Sequence, residues 1–180
     1  MVPHHSHWAL YASIQRSFTD YYEILMGKFL STKTYGNDRG LSCCFRQHRA
    51  THSHCSLLHG YSIGVKLIFE CDTLDERNWC MDFGGLKELK SWLEYMFDHT
   101  TLVAKDDVAL PRLQELHNSG ILSIRVVEGV GCEMFAKMIY DRTVHHLSTL
   151  DLYRKLLNPT VRIKSVEVFE HGANSAIYEG

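Results

Sequence analysis

The chain has no apolar run long enough to span a bilayer, which argues against a helical membrane protein. No stretch combines a basic start, an apolar middle and a small-residue cleavage site, so nothing reads as a secretory signal. The six cysteines, Cys43, Cys44, Cys55, Cys71, Cys80 and Cys132, form no Cys-x-x-Cys pair. In a chain of this size without a signal they are expected to be reduced thiols of a cytoplasmic protein, mostly small core residues. There is no excess of basic charge either. The formal net charge is −2, so the electrostatic footprint of a nucleic-acid binder is missing. Repeats and low-complexity segments are also absent. What is present is 180 residues, 45% hydrophobic, enough for one compact domain with a real core.

Histidine is abundant and unevenly spread. Nine of the twelve imidazoles gather at residues 4–7, 48–59 and 145–146. The middle group surrounds one thiol: His48, His52, His54 and His59 crowd around Cys55. A thiol among imidazoles can serve as nucleophile, base or metal ligand, so chemistry is sought here. The segment after it, Tyr61–Cys71, has the β-branched and aromatic content of a strand. Ile63, Val65, Leu67 and Phe69 share one face, and the same alternation points His59 and Tyr61 towards that face.

Along the chain, residues 1–27 read as an N-terminal extension. Tyr11, Ile14, Phe18, Tyr21, Tyr22 and Leu25 recur at helical spacing within it, and the folded unit, 28–180, is expected to start near Met26. Strands are expected at 28–35, 41–46, 61–71, 121–127 and 160–169, with a last short one at 174–178. Helices are expected at 86–97, at 111–117 before Gly120, and from Gly131-Cys-Glu133 onward with Phe135, Met138, Ile139 and Val144 inward. Asp82 suits a cap at the start of the first helix. Asp98-His-Thr-Thr-Leu102 reads as the end of that helix, and His145 and His146 as imidazoles near the end of the last one. Strands and helices in separate runs give an α+β fold, an antiparallel sheet with helices packed on one face. The sheet edges need covering, and oligomerisation is one solution.

In order along the chain stand Leu41-Ser-Cys-Cys-Phe-Arg46, Cys55-Ser-Leu-Leu-His-Gly-Tyr61, Met81-Asp-Phe-Gly-Gly-Leu-Lys87, Phe97-Asp-His-Thr-Thr-Leu102, Gly131-Cys-Glu133 and Glu170. This pattern resembles the 6-pyruvoyltetrahydropterin synthase and 6-carboxytetrahydropterin synthase family. The resemblance implies the tunnelling fold, with a barrel completed by oligomerisation into a homo-oligomer, a hexamer of two trimers with active sites between subunits. It implies a lyase acting on the pterin 7,8-dihydroneopterin triphosphate, of the 6-carboxytetrahydropterin synthase type, in queuosine-type deazapurine biosynthesis. The sister reaction, giving 6-pyruvoyltetrahydropterin, is the alternative, and a non-catalytic pterin-binding homologue that lost its zinc is another. Cys55, Asp98 and His99 would form a proton relay. Glu170 would anchor the pterin ring through its paired N–H groups, with Glu133 as a further contact.

The resemblance also implies a zinc ion held by three histidines. Read without gaps, Phe45 and Tyr61 stand at two of those positions and only His59 remains. A shifted register brings in His48 as a second ligand, with His52 or His54 as a further nitrogen.

Overall fold

A computed structural model describes residues 27–180. The helix expected through Tyr11–Leu25 and the start of the folded unit at Met26 lie outside the described residues.

Two four-stranded sheets form the framework. The first comprises β1 (Phe29–Tyr35), β4 (Gly64–Cys71), β7 (Arg162–His171) and β8 (Asn174–Glu179), antiparallel throughout in the order β1-β4-β7-β8. The alternation in β4 does what the sequence dictates. Val65, Leu67, Phe69 and Cys71 are fully buried and the residues between them are half-buried. Burying each such Leu or Phe contributes about 2–3 kcal/mol. The second sheet comprises β2 (Ser42–Phe45), β3 (His59–Ser62), β5 (Thr100–Ala104) and β6 (Ile124–Val127), in the order β3-β2-β5-β6. Here β2 and β3 are antiparallel, while β5 lies parallel to both β2 and β6.

Among the described residues three α-helices join them: α1 (Lys87–Phe97), α2 (Leu110–Asn118) and α3 (Cys132–Leu152). Asp82 does cap the entry to α1. Its Oδ1 accepts the Gly84 N–H at 2.9 Å at the start of a 3-10 turn over Phe83–Leu86. Leu89, Leu93 and Phe97 form the buried stripe of α1. The long α3 packs on β7 and β8, and one contiguous core runs beneath both sheets. The antiparallel sheet with helices against it is therefore present, and the second, partly parallel sheet is added to it.

Four local features differ from the expectation. The strand expected over 61–71 is two strands that belong to different sheets. Ile63 joins them, fully buried, with its N–H donating to Leu41 O at 3.1 Å. Gly64 follows because the Phe169 ring lies against it; a Cβ there would overlap the ring. Second, Thr100–Ala104 does not end a helix. It is a central strand, β5, buried at all five positions. Third, β7 changes face. Lys164 is an extra residue opposite the Ile68/Phe69 step of β4, so Ile163 below it and Val166 and Val168 above it all reach the core. Fourth, Val144 of α3 is exposed, whereas His146 is buried and its Nε2–H donates to Gly85 O at 2.8 Å.

Candidate active site

The loop that carries Cys55 is closed at its neck. Gln47 N–H donates to Cys55 O at 2.8 Å, and Arg46 Nη1 donates to Ser56 O at 3.3 Å. Arg46 is itself fixed by a two-pronged ion pair, Nε to Asp107 Oδ2 at 2.8 Å and Nη2 to Oδ1 at 3.0 Å. Arg49 pairs with Asp106 beside it. The loop is thus bolted to the turn after β5. Burial works to raise the Asp107 carboxyl, but Arg46, the Ala109 N–H and the His48 charge together hold it below its ordinary value. Within the loop, Ser53 Oγ accepts the Cys55 N–H at 3.2 Å and starts the 3-10 turn His54–Ser56 that presents the thiol.

The pairing of β2 with β3 sets Phe45 opposite His59, and Tyr61 stands two residues further on the same side. The three rings form a tight triangle: Phe45 to His59 6.0 Å, Phe45 to Tyr61 5.7 Å and His59 to Tyr61 5.3 Å between centroids. Phe45 is the buried member, packed edge-on against Phe135 of α3. His59 Nδ1–H donates to Leu57 O at 2.6 Å, which leaves the lone pair of the neutral ring on Nε2.

Glu170 comes from the far end of the first sheet. In the β7–β8 pairing Phe169 faces Ser175 and His171 faces Asn174, so Glu170 is the extra residue of a second bulge. Bulges re-aim side chains, and this one lies at the pocket rim. The Asn37 amide holds the strand end. Its Nδ2 donates to Ser62 O at 2.6 Å and lies 3.2 Å from Glu170 O. Glu133 lies in the first turn of α3, at the positive end of the helix dipole. Gly131 before it has φ 107°, and a Cβ there would strike Gln47, whose Nε2 donates to Val130 O at 2.9 Å.

These elements converge on one cavity of about 260 Å³. Cys55, His59, Tyr61, Glu133 and Glu170 all line it, with Phe45, Cys132 and Gln47 among the remaining walls. Two carboxylates and, among the described residues, no lysine or arginine line it. The acidic setting is felt by its neighbours. Burial, then the charges of Glu170 and Glu133, push the Cys132 thiol up to about 12. Burial, followed by the charges of Glu170, Cys55 and Cys132, also raises the Tyr61 phenol, which therefore stays protonated at neutral pH.

Asp98 and His99 are not in this cavity. They follow α1 as an exposed pair, with Asp98 Oδ1 and His99 Nδ1 2.6 Å apart. His99 holds a left-handed backbone, φ 53°, unusual for a residue with a side chain, and its side chain is 87% exposed. It opens on a separate hollow with Cys44, Gly60, Thr101 and, on the shared wall, Tyr61. Within one chain the structure therefore unites Cys55, His59, Glu133 and Glu170 and leaves Asp98 and His99 outside.

The three-histidine zinc site does not fit these residues. The ring triangle stands at the implied ligand positions, but Phe45 has no donor atom and Tyr61 is a neutral phenol, a poor zinc ligand. The shifted register does not repair it. His48 is turned to Asp106, Nε2 to Oδ1 3.8 Å, and among the described residues no group of three His, Cys, Asp or Glu stands close enough to hold a metal ion. Of the two residues implied as ligands, His59 lines the cavity and His48 faces Asp106.

A model of the 6-pyruvoyl tetrahydropterin synthase family matches residues 37–180. The chain belongs to that family. The 6-carboxy-5,6,7,8-tetrahydropterin synthase of Aquifex aeolicus (strain VF5) is 28% identical over 127 residues, 69% of this chain and 75% of its own length. Among solved structures, an uncharacterised protein from Wolinella succinogenes superposes with a TM-score of 0.66 at 17% identity, over 86% of this chain and 98% of its own. A catalytic-residue mutant of the Plasmodium vivax 6-pyruvoyltetrahydropterin synthase gives 0.58 at 12% identity, over the same shares. The fold of this pterin synthase family member is accordingly the tunnelling fold.

Sequence reasoning missed the residues that hold this family site in shape: Asn37, Arg46 with Asp107, and Gln47. They stand among other polar residues, so nothing in the sequence singles them out, and their partners are backbone carbonyls or lie about sixty residues away.

Proposed function

We propose that the chain is a pterin lyase of the 6-carboxytetrahydropterin synthase type, acting on 7,8-dihydroneopterin triphosphate. The carrying observation is that Cys55, in the loop between β2 and β3, and Glu170, in β7 of the other sheet, line one cavity. In this reading Glu170 accepts the two N–H groups on the pyrimidine edge of the pterin. Glu133 adds a second acceptor. Cys55 withdraws a proton from a side-chain carbon, triphosphate leaves, and addition of water with cleavage of the carbon–carbon bond releases the outer two carbons as an aldehyde and leaves a 6-carboxy tetrahydropterin. The cavity is acidic, so the triphosphate tail points out of it.

Asp98 and His99 then act on Cys55 of a neighbouring subunit. What supports this is their exposed, hydrogen-bonded, left-handed presentation away from their own cavity. The assembly would be a homo-oligomer, a hexamer of two trimers, with the antiparallel sheets joined edge to edge into a barrel. The open edges of β1 and β8 and the exposed Phe29, Leu30 and Ile177 on those strands support it. No helix among the described residues is long and apolar enough to cross a membrane, and all six thiols are free; we assign the chain to the cytoplasm and to queuosine-type deazapurine biosynthesis.

Incubation with 7,8-dihydroneopterin triphosphate and chromatography of the products tests the reading. A 6-carboxy pterin is expected. A 6-pyruvoyl product would move the chain to the sister reaction. Tight binding with no consumption would identify a non-catalytic binding homologue, the reading that Phe45 and Tyr61 favour.

A further inference from the structure

The ring triangle is more than a lost metal site. Its geometry keeps what a metal ligand needs, since His59 Nδ1–H is already committed to the Leu57 carbonyl, the arrangement that fixes a ligating imidazole with Nε2 free. Yet the neighbouring positions carry a buried hydrocarbon ring and a protonated phenol. Together Tyr61 and His59 offer one hydroxyl donor and one nitrogen acceptor, 5.3 Å apart between ring centres, on the wall of the cavity that also holds Glu170. A carboxylate and a donor–acceptor pair lining one cavity match a ligand with an amino-pyrimidine edge and a hydroxylated side chain.

Resting on the pterin reading above, we infer that this cavity binds its ligand without a metal, the Tyr61 hydroxyl and His59 Nε2 holding the side-chain oxygens of a hydroxylated pterin by hydrogen bonds over the buried Phe45 ring. The phenol donates to one ligand oxygen. The imidazole accepts from another ligand hydroxyl. Phe45 fills the volume beneath them and keeps both rings upright.

The test uses full-length protein stripped with chelator, two probes, neopterin and unsubstituted pterin, and zinc. Metal analysis after zinc loading should find far less than one zinc per chain. Calorimetry should show neopterin binding roughly tenfold more tightly than pterin, the worth of one or two hydrogen bonds, with or without zinc. Tyr61→Phe should remove most of that advantage and leave pterin affinity unchanged. Phe45→His combined with Tyr61→His should complete three imidazoles around one point and take up about one zinc per chain. Stoichiometric zinc on the unmodified protein would overturn the inference, as would loss of neopterin binding in chelator. A Tyr61→Phe protein that keeps the neopterin advantage would overturn the hydrogen-bonding role, and a folded double variant that takes no zinc would overturn the ligand-triangle geometry. If neither probe binds under any condition, the pterin reading itself fails and takes the hydrogen-bonding role with it, while the zinc measurements still decide the metal part.

Discussion

Single side chains divide the cavity's work, and each can be removed separately. Cys55→Ala is expected to abolish turnover while pterin binding and assembly persist, because the thiol is half-buried at the cavity wall and carries no packing role for the core. Product analysis and calorimetry on the same sample check it; a full rate would end the thiol's assignment as base. Glu170→Gln should weaken pterin binding about tenfold or more, since one carboxylate oxygen that accepts an N–H becomes an amide that offers one. Asp107 sets a different kind of expectation. Its carboxyl is held below its ordinary value, so the stability it supplies is present above the unfolded pKa of about 4 and is lost as pH falls through the folded value. Asp107→Ala should cost about 2–3 kcal/mol at neutral pH, because the Arg46 fork loses its partner, and the gap to the unmodified protein should narrow in acid. Denaturant titrations at a series of pH values would read this directly. At this scale the candidate site was legible in part, since Asp98, His99 and His48 lie outside the cavity. Cys55, His59, Glu133 and Glu170 were singled out from motif order and do share a cavity. The holding residues were not legible, because a carbonyl partner such as Val130 O leaves no trace in side-chain identity.

At the scale of elements, periodicity served where one face is buried and failed where both are. The Val65–Phe69 alternation gave β4 correctly, and the stripe through Leu89 and Phe97 gave α1. Strand β5 has no alternation to find, since its five residues are all buried, and its β-branched Thr100, Thr101 and Val103 were the remaining cue. Strand β7 carries a trace of its bulge, apolar positions that change parity between Ile163 and Val166, but parity alone did not place the extra residue. The change of sheet at Ile63 was not visible, because Gly64 looks like any glycine until Phe169 is set against it. That contact makes a firm expectation. Gly64→Ala should destabilise the protein by about 3 kcal/mol or more through overpacking, and Phe169→Ala in the same chain should recover much of the loss. Thermal melts of the single and double variants check it; simple additivity would refute the proposed clash.

For the molecule as a whole, the separation of Asp98 and His99 from Cys55 yields the sharpest test of a shared site. Mixed and reassembled Cys55→Ala and His99→Ala chains should regain part of the activity that each lacks alone, since some interfaces would then combine an intact thiol with an intact imidazole. Light scattering on the same mixture follows the assembly, and mixed oligomers without regained activity would show that the pair serves its own chain or none. Tyr61 stands on the wall between the Cys55 cavity and the hollow beneath His99. In the proposed assembly, a guest on one side and an adjoining chain on the other would press on the same ring. Occupancy and self-association would then be thermodynamically linked, each changing the other by an equal factor. If each favours the other, dilution of the proposed oligomer would expel its guest, and added guest would hold the subunits together at concentrations where they otherwise part.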